Sequence, residues 1–211
     1  MEFEEVVQRL KYSINQPLPG KEAQMRMSPR PVNLSRFDPK LPPNHRKGAV
    51  LILIYPQNGQ AFFPLIKRPE YPGVHSGQIA FPGGKMEEDD ESLTYTALRE
   101  AQEEVSIDPS KVEILGKITD LFVPASNFLV SPIVGISNEI PDFVPEIREV
   151  QRIIPTQVSQ LISPEINKTT ILEINDQIKL DTPYFEIDQE MVWGATAMIL
   201  GEFIQLLEKG K

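Results

Sequence analysis

Three glutamates, Glu100, Glu103 and Glu104, are packed into the run Arg99-Glu100-Ala101-Gln102-Glu103-Glu104. On a helix, spacings of three and four put them on one face. Leu98, Ala101 and Val105 turn to the other side, where a core would lie. Like charges at such spacings repel by roughly 0.2–0.5 kcal/mol per pair on an exposed surface. No lysine follows one turn later. Arg99 can pair with Glu103, which leaves Glu100 and Glu104 uncompensated. A hard divalent cation would relieve them, because Mg²⁺ binds through carboxylate oxygens, retained water and substrate phosphates. An acidic helix face is commonly just a solvated surface. What adds chemistry here is the upstream turn Phe81-Pro82-Gly83-Gly84, since glycine lets the backbone come close to a ligand.

The elements around these residues follow from periodicity. Residues 91–105 predict a helix, with the acidic run 87–91 suited to a helix N-terminus. Before it, 49–55 and 61–67 read as strands joined through Asn58-Gly59, and 69–84 as a Gly/Pro-rich loop enclosing the apolar stretch 79–81. After it, 112–122, 129–136 and 150–154 read as strands, and 155–162 as a short helix. Residues 171–174 and 177–180 flank an Asn175-Asp176 turn, and 190–207 read as a last helix holding Trp193, expected in the core. At the start, Phe3, Val6, Val7 and Leu10 have helical spacing over 3–13, and the prolines between 16 and 45 predict an extended arm wrapped on the domain. The expected fold is α/β (α+β), a mixed sheet between helices. The expected organisation is a helix and proline-rich arm over 1–45, packed on one domain over 46–211.

Bulk composition excludes several classes. The chain has 211 residues, 40% of them hydrophobic, and a formal net charge of −9. That charge argues against non-specific nucleic-acid binding. With no cysteine, disulfides and zinc–thiolate sites are out. The acidic, amphipathic start is unlike a signal peptide, and the apolar run 49–55 is far short of the ~20 residues that span a bilayer. A cytoplasmic protein without membrane association is expected. A nucleotide-binding P-loop is absent, because Met86 follows Gly84-Lys85 and Ile79 occupies the first glycine position. Residues 87–91 lack the alternating ligands and glycine of a calcium-binding loop.

Taken together, Gly83-Gly84, Glu91 and Arg99 to Glu104 resemble the signature of the Nudix hydrolases, G-x5-E-x7-R-E-U-x-E-E-x-G-U with U aliphatic. Arg99, Glu100, Ala101, Glu103, Glu104 and Ile107 fit its second half, and Glu91 stands the expected distance before Arg99. Six residues separate Gly84 from Glu91 where the pattern has five, and Ser106 replaces the late glycine. Arg68, Gly77 and Phe81 to Gly84 are similar to the coenzyme A pyrophosphatase branch, as is Trp193-Gly194-Ala195-Thr196. Ile66, Pro69 and Gly73 stand where that branch has Thr, Ser and a second Arg.

The resemblance implies an αβα sandwich and Mg²⁺- or Mn²⁺-dependent hydrolysis of a nucleoside diphosphate linked to another moiety. It implies coenzyme A or an acyl-CoA as substrate, giving adenosine 3′,5′-bisphosphate and 4′-phosphopantetheine. It also implies metal held by Glu100, Glu103 and Glu104, with a Gly83 or Gly84 carbonyl. Arg99 orients the glutamates and Glu91 braces the turn. Glu149 is a candidate extra carboxylate; Arg68, Gly77, Gln78 and Phe81 are candidates for substrate contact. His75 and His45 read as incidental. A homodimer is compatible with the family. Rival readings are cleavage of ADP-ribose, NADH, a dinucleotide or a nucleoside triphosphate, and a non-catalytic nucleotide sensor.

Overall fold

The computed structural model describes residues 1–38, 40–72, 75–175 and 178–210. Pro39 of the arm, Gly73, and Asp176 of the expected turn therefore lie outside the described residues. The element order is α1 (Phe3–Ser13), α2 (Gly20–Met25), β1 (Arg46–Gln57), β2 (Gln60–Lys67), β3 (Ile79–Ala80), β4 (Gly83–Lys85) and α3 (Leu93–Val105). It continues with β5 (Glu113–Lys117), β6 (Leu121–Val123), β7 (Phe128–Ile136), β8 (Arg152–Gln157), β9 (Asn167–Asn175), β10 (Ile178–Ile187), β11 (Glu190–Val192) and α4 (Gly194–Lys209).

β1 organises the sheet. Its apolar run is buried on both sides: Ile52 and Ile54 join one core cluster, Ala49, Leu51 and Leu53 the other. A strand covered on both faces reads as a continuous apolar run, not an alternating one. β1 lies parallel to β7, Val50 opposite Pro132. Its other edge is shared: β4 pairs antiparallel with its start and β2 with its end. β2 also pairs with β3 and β8, and β7 with β5 and β6. The sheet is thus mixed, as expected. Phe3, Val6, Val7 and Leu10 of α1 pack with Met198, Phe203 and Leu206 of α4 on one face; Ala97, Ala101 and Val105 of α3 cover the other.

Several elements differ from expectation. The 112–122 strand breaks in two over residues 118–120, between β5 and β6, and within β5 the ladder to β7 slips between Ile114 and Gly116, where Gly116 has φ 151°. The 155–162 helix is extended through Gln157, Pro155 facing Pro64 across the ladder, and only a 3₁₀ turn (Val158–Ile162) follows. The last helix begins four residues late. Glu190–Val192 pairs with β10 through a tight Asp188-Gln189 turn in which both residues have positive φ. Trp193 caps the helix and is only half-buried, not a core residue. The proline-rich arm also contains the short helix α2, whose Ala23 and Gln24 are fully buried.

Candidate active site

α3 starts late, after Ser92, whose hydroxyl accepts the Tyr95 N–H at 3.1 Å; this is a standard N-cap bond. At its other end Ser106 takes the left-handed cap conformation, φ 60°. Glycine is the usual residue there; Ser106 instead donates its hydroxyl to Val144 O at 3.1 Å. That bond belongs to a strap, residues 137–151, between β7 and β8. Val144 N–H donates to Val105 O at 3.3 Å and Glu146 N–H to Glu104 O at 2.9 Å, so the strap satisfies carbonyls the helix leaves open. Glu149 follows on a turn closed on Glu146 O.

The three glutamates do not share one exposed face. Ala97, Ala101, Glu104 and Val105 form the buried stripe of α3, and the Glu104 side chain is 1% exposed. The β4 turn lies over it: the Gly83 N–H donates to Glu104 Oε2 at 2.8 Å, and Arg68 stands 3.7 Å from Oε1. Burial pushes the Glu104 carboxyl up to about 7; Glu100 and Glu149 push in the same direction, while Arg68 and the Gly83 N–H oppose. Glu100 lies against Gly84 so closely that a Cβ on that glycine would meet its carboxylate at 2.5 Å. Burial raises its pKa, Arg99 opposes, and Glu103 and Glu149 add to the rise. Glu103 is 58% exposed and pairs with Arg99 at 3.0 Å.

Arg99 is the hub. It reaches Asp90 through two bonds of 2.9 Å, Glu100 and Glu103 at 3.0 Å each, and Lys85 O at 3.0 Å. Asp90, buried, also accepts from Thr96 Oγ1 and Glu87 N–H. The loop brace is therefore Asp90. Glu91, assigned that role from sequence, is exposed and makes no hydrogen bond or ion pair among the described residues. The extra residue in this loop shifts the bracing acid back by one, a signal available in the spacing itself.

Phe81, expected against substrate, is 1% exposed and packs on Phe63 in the core. Arg68 Nη2 donates to Gly83 O at 3.3 Å, so it also supports the turn. Gly77 has φ 64°, and its N–H donates to Pro69 O at 3.1 Å. Gln78 Oε1 meets His75 Nδ1 at 2.9 Å, and Gln78 O accepts the Arg68 N–H at 3.0 Å. His45 bonds to Pro42 O away from the glutamates. One residue not singled out by type is Thr196 of α4. Its hydroxyl donates to Ile79 O at 2.9 Å, tying the last helix to β3 and the turn that follows.

Among the described residues, no three acidic or imidazole side chains converge into a ready cage for a metal ion. Glu103 is drawn to Arg99 and Glu104 to Gly83. The donor set nonetheless fits a hard cation: Glu100 and Glu104 are both desolvated, Glu100 adds to the rise in the Glu104 pKa, and Glu103 stands exposed to solvent on the same helix.

A mixed sheet between helices, with this glycine turn set over a glutamate-bearing helix, is the arrangement of one family, and the comparisons agree. The NUDIX domain profile matches residues 45–160. The chain belongs to the Nudix family. It is 33% identical over 178 residues, 84% of this chain and 87% of theirs, to proteins described as uncharacterized Nudix hydrolase NudL from Yersinia pestis (strain Pestoides F) and Yersinia pseudotuberculosis serotype O:1b (strain IP 31758). The crystal structure of a MutT protein from Methanosarcina mazei Go1 superposes with a TM-score of 0.51 at 17% identity. It covers 82% of this chain and 99% of that one, a likeness of fold. No helix among the described residues is long and apolar enough to cross a membrane.

Proposed function

We propose that the protein is a divalent-metal-dependent pyrophosphohydrolase that cleaves the diphosphate of a nucleoside diphosphate derivative, with coenzyme A or an acyl-CoA as substrate. One juxtaposition carries the reading: Glu100 against Gly84 and Glu104 under Gly83 put two desolvated carboxylates beside a backbone turn that a diphosphate can approach. Glu100, Glu103 and Glu104 would hold Mg²⁺ or Mn²⁺, with a Gly83 or Gly84 carbonyl as a further ligand. A cation held there supplies charge neutralisation at the diphosphate and acidifies the attacking water. Phosphoryl transfer needs positioning and charge neutralisation more than covalent help.

The chain's own residues do the positioning. Asp90 fixes Arg99, and Arg99 fixes the Glu100 side chain. Glu149 makes no ion pair among the described residues, and its charge is felt at both Glu100 and Glu104. It is the carboxylate left to accept a proton from water. The coenzyme A assignment is supported by the stretch from Arg68 to Gly84 and by Trp193 to Thr196, two segments that the Thr196–Ile79 bond draws together. Incubation with coenzyme A and Mg²⁺ or Mn²⁺, with products identified by mass, tests it. Release of 4′-phosphopantetheine, abolished in Glu104→Gln, is the expected result. Cleavage of ADP-ribose, NADH or a dinucleotide instead would overturn the substrate, and cleavage of none would overturn the activity.

A further inference from the structure

Arg46 and Phe128 form a pair that the hydrolytic step leaves unused. They are the first residues of β1 and β7 and stand opposite each other in the parallel ladder. The Arg46 guanidinium lies over the Phe128 ring, 4.2 Å from its centroid, and its Nη2 donates to Ser126 O at 2.6 Å. No carboxylate pairs with it among the described residues. A surface arginine held this way gives up side-chain entropy without gaining an ion pair. One contact to the ring and one to a carbonyl fix where the planar group sits. Arg46 is exposed, so the side turned away from the ring is open to solvent, while Phe128 is half-buried.

The pair stands beside the glycine turn. Gly48, two residues into β1, is level with Lys85 at the end of β4. A Cβ on Gly48 would come within 2.5 Å of Gly84 O and 3.3 Å of Phe128 Cδ1. The space of one methyl group thus separates the ring from a carbonyl of the turn. Glu100 lies against the same glycine. Gly84 therefore has the glutamate on one side and, across Gly48, the Arg46–Phe128 pair on the other. Because residues 46 and 128 open their strands, the pair lies at the rim of the sheet, where a ligand seated on the turn can reach it without crossing the core. One ribose is enough to span that interval from a diphosphate at Gly84.

We infer that the Arg46–Phe128 pair is the platform for the substrate's nucleobase, which stacks on the open face of the guanidinium. This rests on the pyrophosphohydrolase reading and assigns the residues that hold its nucleoside half. A base offers a flat π face, which guanidinium planes and aromatic rings recognise. One edge of the fork, the part a phosphate would use, is spent on Ser126 O. What the stack leaves open is a face.

The test uses the full chain and two probes that share a phosphate and differ in the base, adenosine 5′-monophosphate and ribose 5-phosphate. With ¹³C-labelled arginine, the monophosphate of adenosine should move the Arg46 Cδ–Hδ resonance upfield through the ring current of the stacked base, and ribose 5-phosphate should leave it in place. Arg46→Ala lowers the affinity for adenosine 5′-monophosphate about five- to thirtyfold, the scale of one stacking contact on a cation. Arg46→Lys keeps the charge, loses the plane and falls as far. Phe128→Leu, which takes the ring from beneath the guanidinium, falls part of the way. The thermal midpoint of Arg46→Ala stays near the wild type, because the residue is exposed. Full retention of affinity in Arg46→Lys, an equal shift with both probes, or no shift with adenosine 5′-monophosphate overturns the inference. Turnover separates it from the reading beneath. If no nucleoside diphosphate derivative is cleaved while adenosine 5′-monophosphate still shifts Arg46, the hydrolase alone falls. If coenzyme A is cleaved and Arg46→Ala leaves KM unchanged, the role of Arg46 alone falls.

Discussion

Asp90 holds Arg99 through two parallel bonds of 2.9 Å, to Nε and Nη2, from a position nine residues earlier in the chain. A bidentate pair of this kind fixes angle as well as distance. Because Arg99 in turn contacts Glu100 and Glu103, the loop ahead of α3 sets where the glutamates point.

That pair gives a pH signature. Asp90's pKa is held far below the ordinary carboxylate range, first by its bonds to Arg99. A depressed folded pKa means stabilisation that is full above the unfolded value, about 4, and is lost as pH falls toward the folded one. Asp90→Asn is expected to cost about 2–3 kcal/mol at pH 7, less than removal of a whole partner from a buried pair. The gap in thermal midpoint between wild type and variant should shrink in calorimetric scans taken below pH 4. A gap that stays constant down to pH 2 would contradict the assignment.

Gly83 and Gly84 predict opposite phenotypes. A Cβ on Gly83 would run into the backbone of Ala49 and stand 2.6 Å from Val50 Cα, at φ 152°. Gly83→Ala is therefore expected to destabilise the fold by several kcal/mol, read as a large drop in midpoint. The nearest atoms to a Cβ on Gly84 are those of the Glu100 carboxylate, the movable end of a side chain. Gly84→Ala should keep its midpoint within about 1 kcal/mol of wild type and lose most activity by displacing Glu100.

Metal binding can be read without turnover. Millimolar Mg²⁺ or Mn²⁺ should raise the thermal midpoint of the wild type, since a ligand specific to the folded state stabilises it. Glu100→Gln should abolish the rise. A rise of equal size in that variant would place the metal elsewhere.

Thr196→Val removes the hydroxyl that holds Ile79 O and leaves a buried carbonyl unsatisfied. The expected cost is about 1–2 kcal/mol, or a few degrees in midpoint for a chain of this size. KM should rise, because the segment between Arg68 and Gly84 loses its anchor. A fall in midpoint with KM untouched would make the bond purely structural.

Much of this was legible in the sequence. Helical spacing identified α1 to the residue, and the two-faced apolar run of β1 marked the centre of the sheet. The clustering of Gly83-Gly84 with Arg99 to Glu104 pointed to two segments that the fold does bring into contact. What the sequence concealed had physical causes. Glu104 reads as a surface charge until the β4 turn closes over it, a contact between residues 21 apart. Asp90 and Glu91 are chemically alike, and only the loop path decides which one faces Arg99. Phe81 carries the same letter whether it meets substrate or Phe63. Asp188-Gln189 lacks the Asn-Gly signal of a tight turn, so β11 was read as the start of the last helix.

The carboxylate of Glu202 binds Gly20 across 182 residues of chain and Gln24 across 178. Synthesis runs from the first residue onward, so α1 and α2 leave the ribosome long before the helix that completes their packing. Contacts this distant in sequence are slow to form. Until then, Phe3, Val6, Val7 and Leu10 have the strands β1 and β2 beneath them but lack α4. The nascent chain can lay this stripe on β1 and β2 early, but its outer cover waits for α4, so α1 and α2 behave as a late-closing clasp that locks only once α4 arrives.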